Sequence, residues 1–227
     1  MPSRPAHFFE SLAGVPVRYD RPPVADYGSE GVARKFHCQP ALNQTLDTMF
    51  QEIFAKTPAS FGAPSVILSA GAYVNKQGQH GFGKAFDLDG IRWAERIFVT
   101  LQHPRDKVLY LGVQALCHKY FGVVLGYNYN AAHHDHLHLD IGRSVRFRQT
   151  KSVTYFLQEA LNSFFDQSLV VDGEYGGDTD QALGQARRSI GLGALNKPEN
   201  WSAFLDAVAD EAFEVAGRQS TAPAAIA

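Results

Sequence analysis

The stretch His136-Leu137-His138-Leu139-Asp140-Ile141 decides the fold class, because polar and apolar residues alternate in it with a period of two. That is the pattern of a β-strand with one face on a core, and it sends both histidines to the other face. Working outward, Phe86-Asp87-Leu88-Asp89 repeats the pattern, with Phe86 and Leu88 inward and Asp87 projecting away. Ser65 to Ser69, rich in apolar residues between Pro64 and Gly71, reads as a buried strand, and Val123 to Leu125 as a short one. Two helical patterns flank them. Leu42, Leu46, Met49, Phe50 and Ile53 recur at helical spacing from Pro40 until Pro58 stops the run. Leu109, Val113, Leu116, Cys117 and Tyr120 share a face over Asp106 to Tyr120, closed by Gly122. The expected class is α+β, a small antiparallel sheet flanked by helices.

Beyond Gly142 the pattern changes. Arg143, Arg146, Arg148 and Lys151 form a polar junction, then Val153, Phe156, Leu157, Ala160, Leu161 and Phe164 open a new helix. Two more helices follow, over Thr179 to Ile190 and Trp201 to Val215. The expected divisions are an extended arm over 1–35, which carries seven Pro or Gly before Gly31, a main domain over 36–149, a small three-helix module over 150–218 and a disordered tail over 219–227.

Composition narrows the function. The 227 residues are 45% hydrophobic and 19% charged, which suits a folded core. With 21 basic against 23 acidic residues and no Lys/Arg run, the footprint of a nucleic-acid binder is missing. No apolar stretch approaches the ~20 residues of a membrane span. Met1 to Asp20 lacks the apolar run of a signal peptide, so the expected route is synthesis in the cytoplasm and export by a non-classical, phage or injection pathway. Cys38 and Cys117 are too few for a disulfide framework; one bridge or two buried fillers both fit.

The chemistry concentrates in His80-Gly81-Phe82-Gly83-Lys84-Ala85-Phe86-Asp87 and His133-His134-Asp135-His136-Leu137-His138. A catalytic zinc takes three nitrogen, oxygen or sulfur ligands and leaves a fourth position to water. Gly81 and Gly83 permit a turn that brings His80 to Asp87. His136 and His138 lie roughly 7 Å apart along one strand face, so one serves as ligand and the other is free to move a proton. An adventitious nickel or copper site leaves His80 to Asp87 unexplained. Cys117-His118 suggests thiol chemistry, but adjacent residues in mid-helix diverge by about 100° and packing explains them better. Tyr127 and Tyr129 fit either a substrate groove or the core, and His7, His37, His103 and His118 read as structural.

The order His-x-x-Gly-x-Ala-x-Asp, then His-x-His, resembles the LAS metallopeptidases, the group of lysostaphin-type enzymes, D-Ala-D-Ala carboxypeptidases and murein endopeptidases. Residues 36 to 142, including Tyr120-Phe121-Gly122-Val123-Val124-Leu125-Gly126-Tyr127-Asn128-Tyr129-Asn130, are more closely similar to the extensin-like C-terminal family. The resemblance implies zinc held by His80, Asp87 and His138, with His136 as base and His133 steadying the developing oxyanion. Asp135 and Asp140 are candidate acceptors behind the imidazoles. Gly78 stands where that family usually has Ser, and Asn75-Lys76 where it has Cys-Arg, which puts the substrate edge of the site in question.

In the tail, Leu157-Gln158, Asp172-Gly173 with Gly176, and Thr179 resemble the peptidoglycan-binding module found beside wall hydrolases. Together the two resemblances imply a D,D-endopeptidase of peptidoglycan cross-links with some carboxypeptidase activity, acting in the periplasm or wall as a phage lysin or an injected antibacterial effector with an immunity partner. The alternative is a non-catalytic wall-binding protein with a degenerate metal site.

Overall fold

The computed structural model describes residues 3–221. Its elements run β1 (Phe8–Phe9), β2 (Ser11–Leu12), β3 (Val15–Tyr19), β4 (Val32–Ala33), β5 (Phe36–His37), α1 (Pro40–Lys56), β6 (Pro64–Gly71), β7 (Ala85–Trp93) and β8 (Ile97–Val99). They continue through α2 (Lys107–Tyr120), β9 (Val123–Leu125), β10 (Leu137–Asp140), α3 (Lys151–Phe164), α4 (Gly177–Ser189) and α5 (Pro198–Thr221). The class is the α+β one expected. The sheet is larger than alternation alone suggests: eight strands in the order β2-β3-β6-β7-β10-β9, with β4 beside β3 and β8 beside β7. All neighbours are antiparallel except β3 and β6.

The N-terminal residues read as an arm are extended, and they are threaded into this sheet. Val15 and Val17 bury their side chains while β3 pairs with Ile67 to Ser69. Five residues interrupted by Pro16 are too short a run to stand out as a strand. Of the tail expected to be disordered, residues 219–221 complete α5 and residues 222–227 lie outside the described part.

Helix boundaries follow local chemistry. Pro40 starts α1 because the first helical residue needs no N–H partner, and Thr57 turns extended under the steric demand of Pro58. Helix α2 is different in kind. Every residue from Leu109 to His118 is buried, so it lies inside the protein and not on its surface. Its second face, with Leu111, Gly112 and Ala115, is covered by α5. A Cβ on Gly112 would fall 2.8 Å from that of Ala212, so glycine allows the two helices to touch. The core therefore runs without a break from Phe9 to Ala216, and each fully buried Leu or Phe in it contributes about 1.5–3 kcal/mol.

The recognisable residues of the tail form one hydrogen-bonded unit. Gln158 accepts from the amides of Asp172 (3.1 Å) and Gly173 (2.9 Å), and its amide group donates to Asp172 Oδ1 at 2.8 Å. A longer contact reaches Thr179 Oγ1 at 3.3 Å. This satisfies a buried glutamine and pins the turn between α3 and α4.

Both cysteines are buried free thiols, which answers the open question of a bridge. Burial raises Cys38 to about 11 and moves Cys117 further up, so neither is a ready nucleophile. His118 packs on Phe156 and Trp201, and burial pushes its imidazole down from 6.5 to about 3. The unfolded chain then binds the proton first, so stability is full above pH ~6.5 and falls as the pH drops towards 3. Between pH 7 and 5 this one group should remove about 2 kcal/mol, and urea unfolding of His118→Phe should show that increment missing.

Candidate metal centre

Strand β10 lies antiparallel to β7 with His138 directly opposite Asp87, while Leu137 faces Leu88 and Leu139 faces Phe86. The leucines and Phe86 are buried in the core, and the polar partners share the other face. His138 Nδ1 comes within 2.9 Å of Asp87 Oδ1. His80 is delivered by a 3-10 turn, His80–Phe82, and its Nε2 lies 3.1 Å from both Asp87 Oδ1 and His138 Nδ1. The turn needs its glycines: a Cβ on Gly81 would sit 1.8 Å from the Lys76 carbonyl oxygen, and Gly83 closes it at φ +66.

One atom from each of His80, Asp87 and His138 lies within 4.8 Å of the other two. The donor set, two imidazole nitrogens and one carboxylate oxygen, is that of a divalent transition metal with a position left open. The groups behind it fit as well. His80 Nδ1 donates to the Ala72 carbonyl at 2.5 Å, which turns Nε2 towards the centre. His138 Nε2 faces Asp140 Oδ2 at 3.4 Å, and Asp140 Oδ1 accepts from the Gly142 amide at 2.7 Å. Such partners fix ring orientation and raise ligand basicity. Asp140→Ala should weaken zinc binding about 10- to 100-fold in competition with a chromogenic chelator.

The charges are strongly coupled. Burial opposes ionisation of Asp87, but hydrogen bonds from His138 and His80 outweigh it and hold the carboxyl well below the usual range. For His138, burial is likewise overcome by Asp140 and Asp87, which raise the ring to about 9. Without a cation the carboxylates favour an imidazolium there; a metal ion takes that proton's place.

Two further histidines stand beside the triad. His136 Nε2 stands 3.6 Å from Asp87 Oδ1, and its Nδ1 donates to Asp135 Oδ1 at 2.8 Å. The ring of His133 lies 5.1 Å from that of His136 and 5.9 Å from that of His138. His133 Nδ1 meets Asn130 Oδ1 at 2.7 Å. Burial and the neighbouring His136 and His138 lower its pKa to about 4, so the ring is neutral at rest. With Nδ1–H taken by Asn130, its Nε2 accepts a proton before it can donate one.

The remaining histidines stay out of the centre. His7 bonds Asn43, His37 the Pro5 carbonyl, and His103 pairs with Glu159 at 2.9 Å. Tyr127 stacks between His103 and His134, a packing role, whereas Tyr129 stands edge-on to His133 at 5.5 Å. Lys76 is exposed. Gly78 adopts φ +96 with open space around it, a conformation that disfavours serine.

One group of supporting residues has no periodicity to reveal it. Arg21 Nη2 donates to Asp89 Oδ1 at 2.7 Å, and its Nη1 lies 3.5 Å from Asp135 Oδ2. Tyr27 donates to the Asp135 carbonyl, which also accepts from Thr100 Oγ1 at 2.7 Å. The N-terminal segment thus clamps the loop that carries His136. Asp89 was the available signal, since an acid inside a buried strand demands a cation from somewhere.

Residues 39–151 match the family described as "Extensin-like protein C-terminus". That segment is an extensin-like C-terminal domain. It contains the three residues that could hold a metal ion, His80, Asp87 and His138, with His133 and His136, and ends on the first residue of α3. The clamp of Arg21 and Tyr27, and most of α3 to α5, lie outside the extensin-like match. Neither the curated proteins nor the solved structures contain a match to the chain. No helix among the described residues is long and apolar enough to cross a membrane.

Proposed function

We propose that the protein is a zinc-dependent peptidase of peptidoglycan, a D,D-endopeptidase acting on cross-links in the manner of the LAS enzymes it resembles. The observation that carries this reading is the convergence of His80, Asp87 and His138 with two further histidines beside them. Zinc held by His80, Asp87 and His138 would polarise an amide carbonyl and lower the pKa of water to ~7.

The chain's own residues supply the rest. His136, its Nδ1–H held by Asp135, presents Nε2 next to the ligand set and takes the proton from the attacking water. His133, neutral at rest, orients the incoming groups through Nε2, and once it has received the proton that His136 took from the water it donates to the oxyanion or the departing amine. Tyr129 borders this cleft. The helices α3 to α5, whose motif resembles a wall-binding module, hold the domain on an insoluble polymer and raise its local concentration there.

The test is zinc content together with release of soluble fragments from purified sacculi. His136→Gln should keep its zinc and lose about 10²- to 10⁴-fold in rate. Bound zinc with no fragment released by the unaltered protein sinks the enzyme reading and leaves a wall-binding protein in its place.

A further inference from the structure

A groove of ≈ 470 Å³ lies behind the metal centre, on the Asp140 side of His138. At one end it is lined by Asp140, the acceptor behind His138, by Gln79, the neighbour of His80, and by Tyr129. From there it runs under the junction between β10 and α3. Its walls carry Arg143, Arg146, Arg148 and Lys151.

Among the described residues none of the four makes an ion pair. Arg148 donates to the Ser144 carbonyl (2.8 Å) and hydroxyl (3.1 Å), and Lys151 lies over the Tyr155 ring. Burial, and then the nearby charges of Arg146 and Arg143, lower the pKa of Arg148. The acid in the groove, Asp140, is already engaged by His138 and the Gly142 amide.

Helix α3 adds to the positive field. It begins in the groove at Thr150, Lys151, Ser152 and Val153, with no side-chain cap and no acid in its first turn. Its first amides and the positive end of its dipole therefore face the same space as the arginines. A separate observation comes from the floor. His118 is 4% exposed, lines the groove, and its Nε2 has no hydrogen-bond partner among the described residues. A lysine and three arginines at an uncapped helix start cost stability unless an anion neutralises them.

We propose that this groove is a carboxylate-binding subsite, which takes the free carboxylates of a peptide substrate while its scissile amide lies at the metal centre. The proposal rests on the peptidase reading for the identity of the substrate, but not for the existence of the site. Guanidinium forks suit carboxylates, and the groove reaches the centre through Asp140, the acceptor behind His138, and Gln79, the neighbour of His80, so an acidic arm of a peptide bound at the centre has a cationic wall within reach. Selectivity then depends on whether the stem-peptide carboxylates are free or amidated.

The decisive experiment titrates the full-length protein with a soluble muropeptide in its free-carboxylate and amidated forms, and with inorganic phosphate, following Trp201 on the groove floor by fluorescence and calorimetry. Arg143 and Arg146 are exposed, so the double variant R143Q/R146Q is compatible with the fold. Expected is at least tenfold tighter binding of the free-carboxylate form, with that preference abolished in R143Q/R146Q. Equal affinity for the two forms overturns the proposal, as does phosphate binding as tightly as the peptide. If the preference is present but no fragment is ever released, the subsite stands and the peptidase reading fails. Equal cleavage of both forms by the unaltered protein overturns the subsite and leaves the peptidase reading intact.

Discussion

With His138 replaced by alanine, the protein is expected to lose its bound zinc and at least ~10³-fold of its hydrolytic rate, since metal activation supplies several kcal/mol and each 1.36 is a decade. The structural reason is that three ligand atoms within 4.8 Å act as one unit. Removal of His138 leaves His80 and Asp87, which is too few for a tetrahedral site, and leaves Asp140 facing a cavity. The strand itself survives, because β10 is held by its backbone pairing to β7 and β9 and by buried Leu137 and Leu139. Zinc stoichiometry by elemental analysis and unchanged circular dichroism together check this. A variant that keeps one zinc per chain shows that the ligand set is wrong.

Replacing Arg21 by methionine is expected to destabilise the protein by about 3–5 kcal/mol at neutral pH, the range for breaking a buried ion pair by removing one partner. Asp89 is completely buried, its Oδ1 is held by Arg21 at 2.7 Å, and its Oδ2 has no partner among the described residues. Burial already pushes its carboxyl well above the ordinary value, against the pull of Arg21. Without the guanidinium the carboxyl protonates more readily still, so the damage should shrink as the pH is lowered. Urea unfolding at pH 8 and pH 5 reads that difference, and the double variant R21M/D89N should recover much of the loss. The same substitution loosens Asp135 and with it His136, so activity should fall further than stability explains. Equal stability of R21M and the unaltered protein contradicts the clamp.

The parts of the fold that could be read in the sequence are those with a strong local period. Helix α1 begins at Pro40 and ends just before the Thr57-Pro58 stop because backbone sterics act on neighbouring residues. The alternation of Leu137 to Asp140 places His138 on the metal face, and the two glycines after His80 mark its turn. What stayed hidden depends on distant pairing. Strand β3 is recognisable only from its bonds to β6 some fifty residues later. The buried state of α2 needs α5, although a run from Val108 to Cys117 without one charge hints at it. Arg21 and Tyr27 sit among prolines and glycines with no pattern, and only the buried acid on β7 implies that a cation must arrive. The basic junction at 143–151 was visible as a charge change, but its meeting with an uncapped helix start and the metal centre is a product of the fold.

Mass spectrometry of the fragments released when zinc-loaded protein digests purified sacculi, with Asp87→Ala as the control, decides whether the protein is a wall peptidase. Expected are new fragments with one water added across a cross-link amide, a free D-Ala carboxyl and a free amine as the new termini, and none from Asp87→Ala. An unchanged muropeptide profile from protein that carries stoichiometric zinc would contradict the peptidase reading.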